Sequence, residues 1–226
     1  MSDGATTIVM VLVPQVTQLD LTGPAQVFAR WPGAHLVIAA ARAEPVMTDC
    51  GFAIVPTATF DTAPQADYLI VPGGEGIFDV LSDRRTVDFV RVQARGARVV
   101  GSVCTGAFLL GVAGLLDGVR ATTHWGSMRL LPLVGAAPTP SRVVRDGRVV
   151  TGGGVTSGID MALALAADAF GEQVAREIQL AIEYDPEPPF DAGSPDAFPE
   201  AEIELRRRAI EDRRRARVEA GMRASA

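Results

Sequence analysis

Short, unbroken apolar runs alternate along this chain with segments whose apolar residues return every three or four positions. "TTIVMVLVP" (6–14), "HLVIAAA" (35–41), "DYLIVPGGEG" (67–76) and "ARVVGSVC" (97–104) belong to the first kind. Continuous apolar, β-branched runs of this length predict strands buried on both faces. Helical spacing appears in "QLDLTGPAQVFARW" (18–31) at Leu21, Pro24, Ala25 and Phe28, with Pro24 suited to a first turn. "FDVLSDRRTVDFVRVQARG" (78–96) predicts one helix carrying Val80, Leu81, Val87, Phe89 and Val90 and stopped by Gly96. "TGAFLLGVAGLL" (105–116) predicts another, ended by Gly118. "CGFAIVPTATF" (50–60) reads as a short strand or hairpin broken by Pro56, and "RVVRDGRVVTGGG" (142–154) as a hairpin turning at Asp146 and Gly147. From Val155 a long helical pattern runs on, with a break near Gly171.

Buried strands interleaved with helices over short loops predict an α/β fold: a doubly wound, mostly parallel sheet sandwiched by helices. The expected division is one α/β domain over 1–198 and a charged helix or tail over 199–226. Within the first unit, "DPEPPFDAGSPDAFPE" (185–200) is proline-rich and extended. The final segment interleaves Arg206 to Arg208 and Arg213 to Arg215 with Glu202, Glu204, Glu211 and Asp212, the pattern of an exposed or partner-packing helix.

Composition narrows the function classes. The formal charge of −6 gives no reason to expect nucleic acid as a partner. No apolar run approaches the roughly 20 residues that span a bilayer, and the N-terminus lacks a basic leader pattern. Cys50 and Cys104 make no disulfide framework, so a reduced, cytoplasmic setting is expected. With 2 His and 2 Cys, no metal site is expected.

In open α/β sheets, ligands bind beyond the carboxyl ends of the strands. Polar and glycine residues collect at four such ends: 14–20, 73–76, 103–105 and 152–156. Cys104 sits where a strand gives way to a helix, the position of a nucleophile elbow, with Gly101 and Gly106 leaving room for close backbone. The following helix N-terminus is expected to lower its thiol pKa. A small buried spacer would occupy the same corner, and position alone leaves both readings standing. Backbone N–H groups of Gly73, Gly74 and Thr105 are candidates for an oxyanion hole, against a plain glycine turn. A phosphate loop is excluded because its Lys-Ser/Thr ending is missing. Asp20, set between Leu19 and Leu21, is a candidate proton carrier with a raised pKa, against a helix cap. His124 could activate a cysteine, or pack and cap beside Trp125 and Gly126. Thr156, in "TGGGVTSG", reads as pocket wall rather than catalyst.

"VLVPQVTQLDLTGPAQVF", "DYLIVPGGEG", "GSVCTGAFLLGVAGLLDGVRATTHW", "GGGVTSGIDMAL" and "IEYDPEPPFDAGSP" together resemble the isonitrile (isocyanide) hydratases. These belong to the PfpI-like branch of the class I glutamine amidotransferase-like superfamily, whose fold is flavodoxin-like. The resemblance runs from about residue 7 to 195. It implies Cys104 as nucleophile, Asp20 as acid/base carboxylate and Thr105 as their hydroxyl neighbour. PfpI-type proteases carry His directly after the nucleophile. Thr105 stands there in this chain, which argues against a peptidase and favours Asp20 over His124. The implied reaction is cofactor-free hydration of R–N≡C to the N-formamide, by a homodimer, with isonitrile and water as the only small-molecule partners. Two other classes remain: a glyoxalase- or deglycase-like enzyme using the same Cys–carboxylate pair, and a redox-sensing or regulatory amidase-like module.

Overall fold

The computed structural model describes residues 5–225; the expected domain's first four residues and Ala226 lie outside them. In chain order the elements are β1 (Thr6–Val11), α1 (Gln18–Phe28), β2 (Ala34–Ala40), β3 (Val46–Met47), β4 (Ala53–Ile54), β5 (Ala58–Thr59), β6 (Tyr68–Val71), α2 (Ile77–Val80), α3 (Arg84–Gly96), β7 (Val99–Val103), α4 (Gly106–Val112) and β8 (Arg120–Ala121). A 3-10 segment (Trp125–Val134) follows, then β9 (Ala137–Pro138), β10 (Val143–Asp146), β11 (Val149–Gly152), α5 (Ser157–Phe170), α6 (Glu172–Ala181), a 3-10 turn (Pro195–Ala197) and α7 (Glu200–Ser225).

Seven strands form one sheet in the order β10-β11-β7-β6-β1-β2-β5. All neighbours are parallel except the β10–β11 hairpin at one edge. Period-2 alternation sends successive strand residues to opposite faces. Ile8, Met10, Ile70 and Val103 share a core with α1, α5 and α6 through Leu21, Phe28, Met161, Leu165 and Ile178. Val9, Val11, Leu69 and Val100 meet the other helices through Ile77, Leu81, Val90, Phe108 and Val218. The doubly wound, helix-sandwiched sheet expected from the sequence is the observed fold.

The structure redraws several boundaries. The helix expected over 78–96 is two, because the Asp83 carboxylate caps α3 by accepting from the Arg85 and Thr86 N–H groups. The helix expected to end at Gly118 ends at Val112, where Gly114 (φ +81°) turns the chain left-handed; Gly118 (φ +70°) makes a later turn. Pro56 separates two pairings: β4 makes a hairpin with β3, and β5 adds to the sheet edge beside β2. The charged terminal helix does not trail away from its own chain. α7 buries Ile203, Val218 and Gly221, and Arg129 grips Glu204 through two 2.9 Å bonds. Residues 185–200 are largely exposed and irregular rather than extended throughout, with a 3-10 turn at Pro195–Ala197 and α7 beginning at Glu200.

Gly106 opens α4 directly over β6, where any Cβ would run into the Val71 carbonyl oxygen. Gly106→Ala is therefore expected to destabilise by more than about 2 kcal/mol through overpacking against rigid backbone. Gly154→Ala, with open space around it and no positive φ, should stay within about 0.5 kcal/mol of wild type. Urea denaturation of the two variants checks the contrast.

Candidate active site

β11, β7, β6 and β1 are neighbours in the sheet, so the four polar strand ends picked out by the sequence lie side by side at one edge. Cys104 follows β7 with φ +54°, a backbone state that non-glycine residues rarely adopt. Its N–H donates to the Gly152 carbonyl (2.9 Å), and its own carbonyl accepts from the Thr123 hydroxyl (2.7 Å). The end of β11 and the loop after β8 thus hold the strained residue from two sides, which is how an elbow persists.

Asp20 is the third residue of α1 and has no exposed surface. Its Oδ2 accepts from the Gly73 N–H at 2.9 Å, while Oδ1 makes no hydrogen bond. The Cys104 thiol lies close enough that the two groups shift each other's protonation. A Cβ on Gly73 would stand 2.6 Å from both Asp20 Oδ2 and the Thr105 nitrogen, so only glycine permits this approach. Thr105 donates its hydroxyl to the Gly74 carbonyl and accepts from the Gly74 N–H, both at 2.9 Å. Asp20, Cys104, Thr105, Gly73 and Gly74 are therefore one connected cluster.

Two expectations change here. The Gly73 and Gly74 N–H groups are not free oxyanion donors: they already bond Asp20 and Thr105, and they position side chains instead. The backbone N–H that favours the Cys104 thiolate is that of Thr105. Nor is the Cys104 thiol acidic. Burial and the neighbouring Asp20 carboxylate push it well above the usual range, outweighing the pull of the Thr105 N–H and of Arg214. Asp20 moves the same way, to about 7, because burial outweighs the bond from the Gly73 N–H and the pull of the neighbouring Cys104 thiol, and the Asp49 charge adds to the rise.

His124 is outside this cluster's hydrogen bonds. Its Nδ1 accepts from the Gly126 N–H at 3.2 Å, capping the 3-10 segment. Burial, then the Arg214 charge, lower its pKa to about 4, so it is neutral. Thr156 is exposed and receives a bond from Arg142 (3.2 Å), with no hydrogen bond to Asp20, Cys104 or Thr105. Thr123 carries no signal in the sequence pattern; its role arises from a fold contact 19 residues away in sequence. A mostly apolar cavity of about 480 Å³ opens near Pro14, Ala40, Met47 and Phe60, and no member of the cluster lines it. Among the described residues, no three His, Cys, Asp or Glu side chains group as a metal site would.

The model of the DJ-1/PfpI family matches residues 6–168. The chain belongs to this family. A DJ-1/PfpI relative, the isonitrile hydratase of Pseudomonas putida, is 51% identical over 199 residues, covering 88% of this chain and 87% of that protein. A crystal structure of a THiJ/PfpI family protein from Pseudomonas syringae superposes with a TM-score of 0.88 at 40% identity, covering 97% of this chain and 91% of that one. Drosophila melanogaster DJ-1beta shares the fold at 20% identity and a TM-score of 0.70, covering 79% of this chain and 98% of its own.

Proposed function

We propose that this chain is an isonitrile hydratase, a cofactor-independent lyase that adds water to R–N≡C and releases the N-formamide R–NH–CHO. The carrying observation is the buried Asp20 carboxyl, one oxygen unbonded, set beside the Cys104 thiol and titrating near neutrality. Such a pair holds one proton between two groups and can pass it to a substrate carbon. The 51% identity to the Pseudomonas putida hydratase supports the same chemistry.

In the proposed sequence, the Asp20 carboxylate accepts the thiol proton and delivers it to the terminal isonitrile carbon as Cys104 Sγ bonds to that carbon. The product is a thioimidate, Cys–S–CH=N–R. Asp20 next takes a proton from water as its oxygen attacks the same carbon, and the C=N pair collects that proton at nitrogen. The C–S bond of Cys–S–CH(OH)–NHR then breaks, sulfur leaves with the bonding pair, and the hydroxyl proton returns to the Cys–Asp pair as the formyl group forms. In this reading the Thr105 N–H stabilises the anionic sulfur at each end of the cycle, as its lowering pull on the thiol supports. Residence in the cytoplasm and a homodimer, with 185–200 reaching toward a second copy, belong to the same reading.

Purified protein mixed with an alkyl or aryl isonitrile should accumulate N-formamide, followed by chromatography. Turnover of methylglyoxal with no N-formamide would replace this reading with the glyoxalase-like one.

A further inference from the structure

α7 lies outside the 6–168 region matched to the family, yet it sends a largely enclosed cation to the catalytic loop. The Arg214 side chain is only 12% exposed. Its Nε and Nη2 donate to Glu75 Oε2 (3.2 and 2.8 Å), its Nη1 donates to Ser127 Oγ (2.7 Å), and its guanidinium stacks 4.9 Å from the Phe78 ring centre. Arg217 takes the other Glu75 oxygen at 2.8 Å. Burial opposes ionisation of Glu75, but Arg214 and Arg217 still hold its carboxyl below the usual range. Glu75 directly follows Gly74, the residue bonded twice to Thr105, and is two positions after Gly73, the residue bonded to Asp20.

We propose that Arg214 is a positioning residue of the Cys104 site: Glu75, Ser127 and Phe78 lock its guanidinium beside the 72–76 loop, where its positive charge supports the sulfur anion formed during reaction. The anchoring of the head group carries this role, and the direction of its charge effect agrees with it. Its three polar contacts come from two separate elements, so the head group has little freedom. It is the cation whose charge reaches both Cys104 and His124. The charged groups acting on Cys104 are Asp20 from α1, which opposes the anion, and Arg214 from α7, which favours it. Asp49 acts on Asp20, and His124 is neutral.

The inference rests on Cys104 as the nucleophile, and alkylation reads that thiol without needing any isonitrile. In a Cys50→Ser background, which removes the exposed thiol, iodoacetamide alkylation of Cys104 is measured against pH. Arg214→Gln should shift the midpoint upward by about one pH unit and lower kcat/KM for hydration about tenfold. Arg214→Lys should recover most of the shift by keeping the charge. Glu75→Gln should move the midpoint the other way, because it leaves Arg214 less neutralised. Arg208→Gln, on the exposed side of α7, should leave the profile unchanged. Profiles that coincide for Arg214→Gln and its parent overturn the proposal, as do Arg214→Gln and Glu75→Gln shifts of the same sign, the mark of mere loosening. Normal alkylation shifts in a protein that makes no N-formamide would count against the hydratase reading and leave Arg214's role standing.

Discussion

Cys104→Ala is expected to abolish N-formamide formation, with a fall of at least about 10³-fold, while the protein stays folded. The elbow is held by main-chain groups, the Cys104 N–H on Gly152 and the Cys104 carbonyl under Thr123, and alanine keeps both. The side chain is 5% exposed and small, so losing its sulfur removes little packing. Cys104→Ser should fail almost as badly, because an alcohol in this desolvated corner is far less nucleophilic than a thiol. Chromatography of the product, beside a circular-dichroism spectrum of each variant, checks both halves. Retained turnover in Cys104→Ala would rule out the covalent route.

Asp20→Asn should separate function from stability. Asparagine keeps the acceptor for the Gly73 N–H but cannot take up and deliver a proton near neutral pH, so turnover should drop by about 10²- to 10⁴-fold. The fold should become more stable. Burial raises the Asp20 pKa from 3.8 to about 7, so ionising it opposes folding. That penalty is absent below pH 3.8, grows as pH rises toward 7 and is complete above it. A shift of about three units corresponds to about 4 kcal/mol at pH 8. Urea denaturation should thus show wild type and Asp20→Asn nearly equal at pH 4 and diverging by pH 8, with the variant more stable. Wild-type kcat/KM should fall on the acid side through about pH 7, where protonated Asp20 can no longer accept the thiol proton. Equal stability at both pH values would mean that Asp20 is not the buried acid described here.

The sheet was legible because its strands are apolar on both faces, and the site because polar and glycine residues gather where those strands stop. What stayed hidden depends on contacts distant in sequence. Asp83 splits a helix whose apolar spacing continues through the break, since a cap is a local hydrogen bond that leaves periodicity intact. α7 reads as a solvated helix because few of its residues are apolar. Its docking rests on Ile203, Val218 and Gly221 and on arginines whose acidic partners, Glu75 and Asp79, lie some 140 residues earlier. The elbow predicts an acidic thiol from a helix N-terminus, but burial and the facing Asp20 carboxylate prevail. Spacing shows which residues approach one another, whereas the sign of a pKa shift depends on how much water is excluded around them.

Intact-mass spectrometry of the enzyme, acid-quenched during turnover, tests the covalent Cys104–Asp20 account most directly. It predicts an adduct on Cys104 equal to the full mass of the isonitrile, because thiol and substrate combine without losing an atom, and no adduct in Cys104→Ala. N-formamide accumulating while Cys104 stays unmodified at every quench time, with Cys104→Ala still turning over, would contradict it.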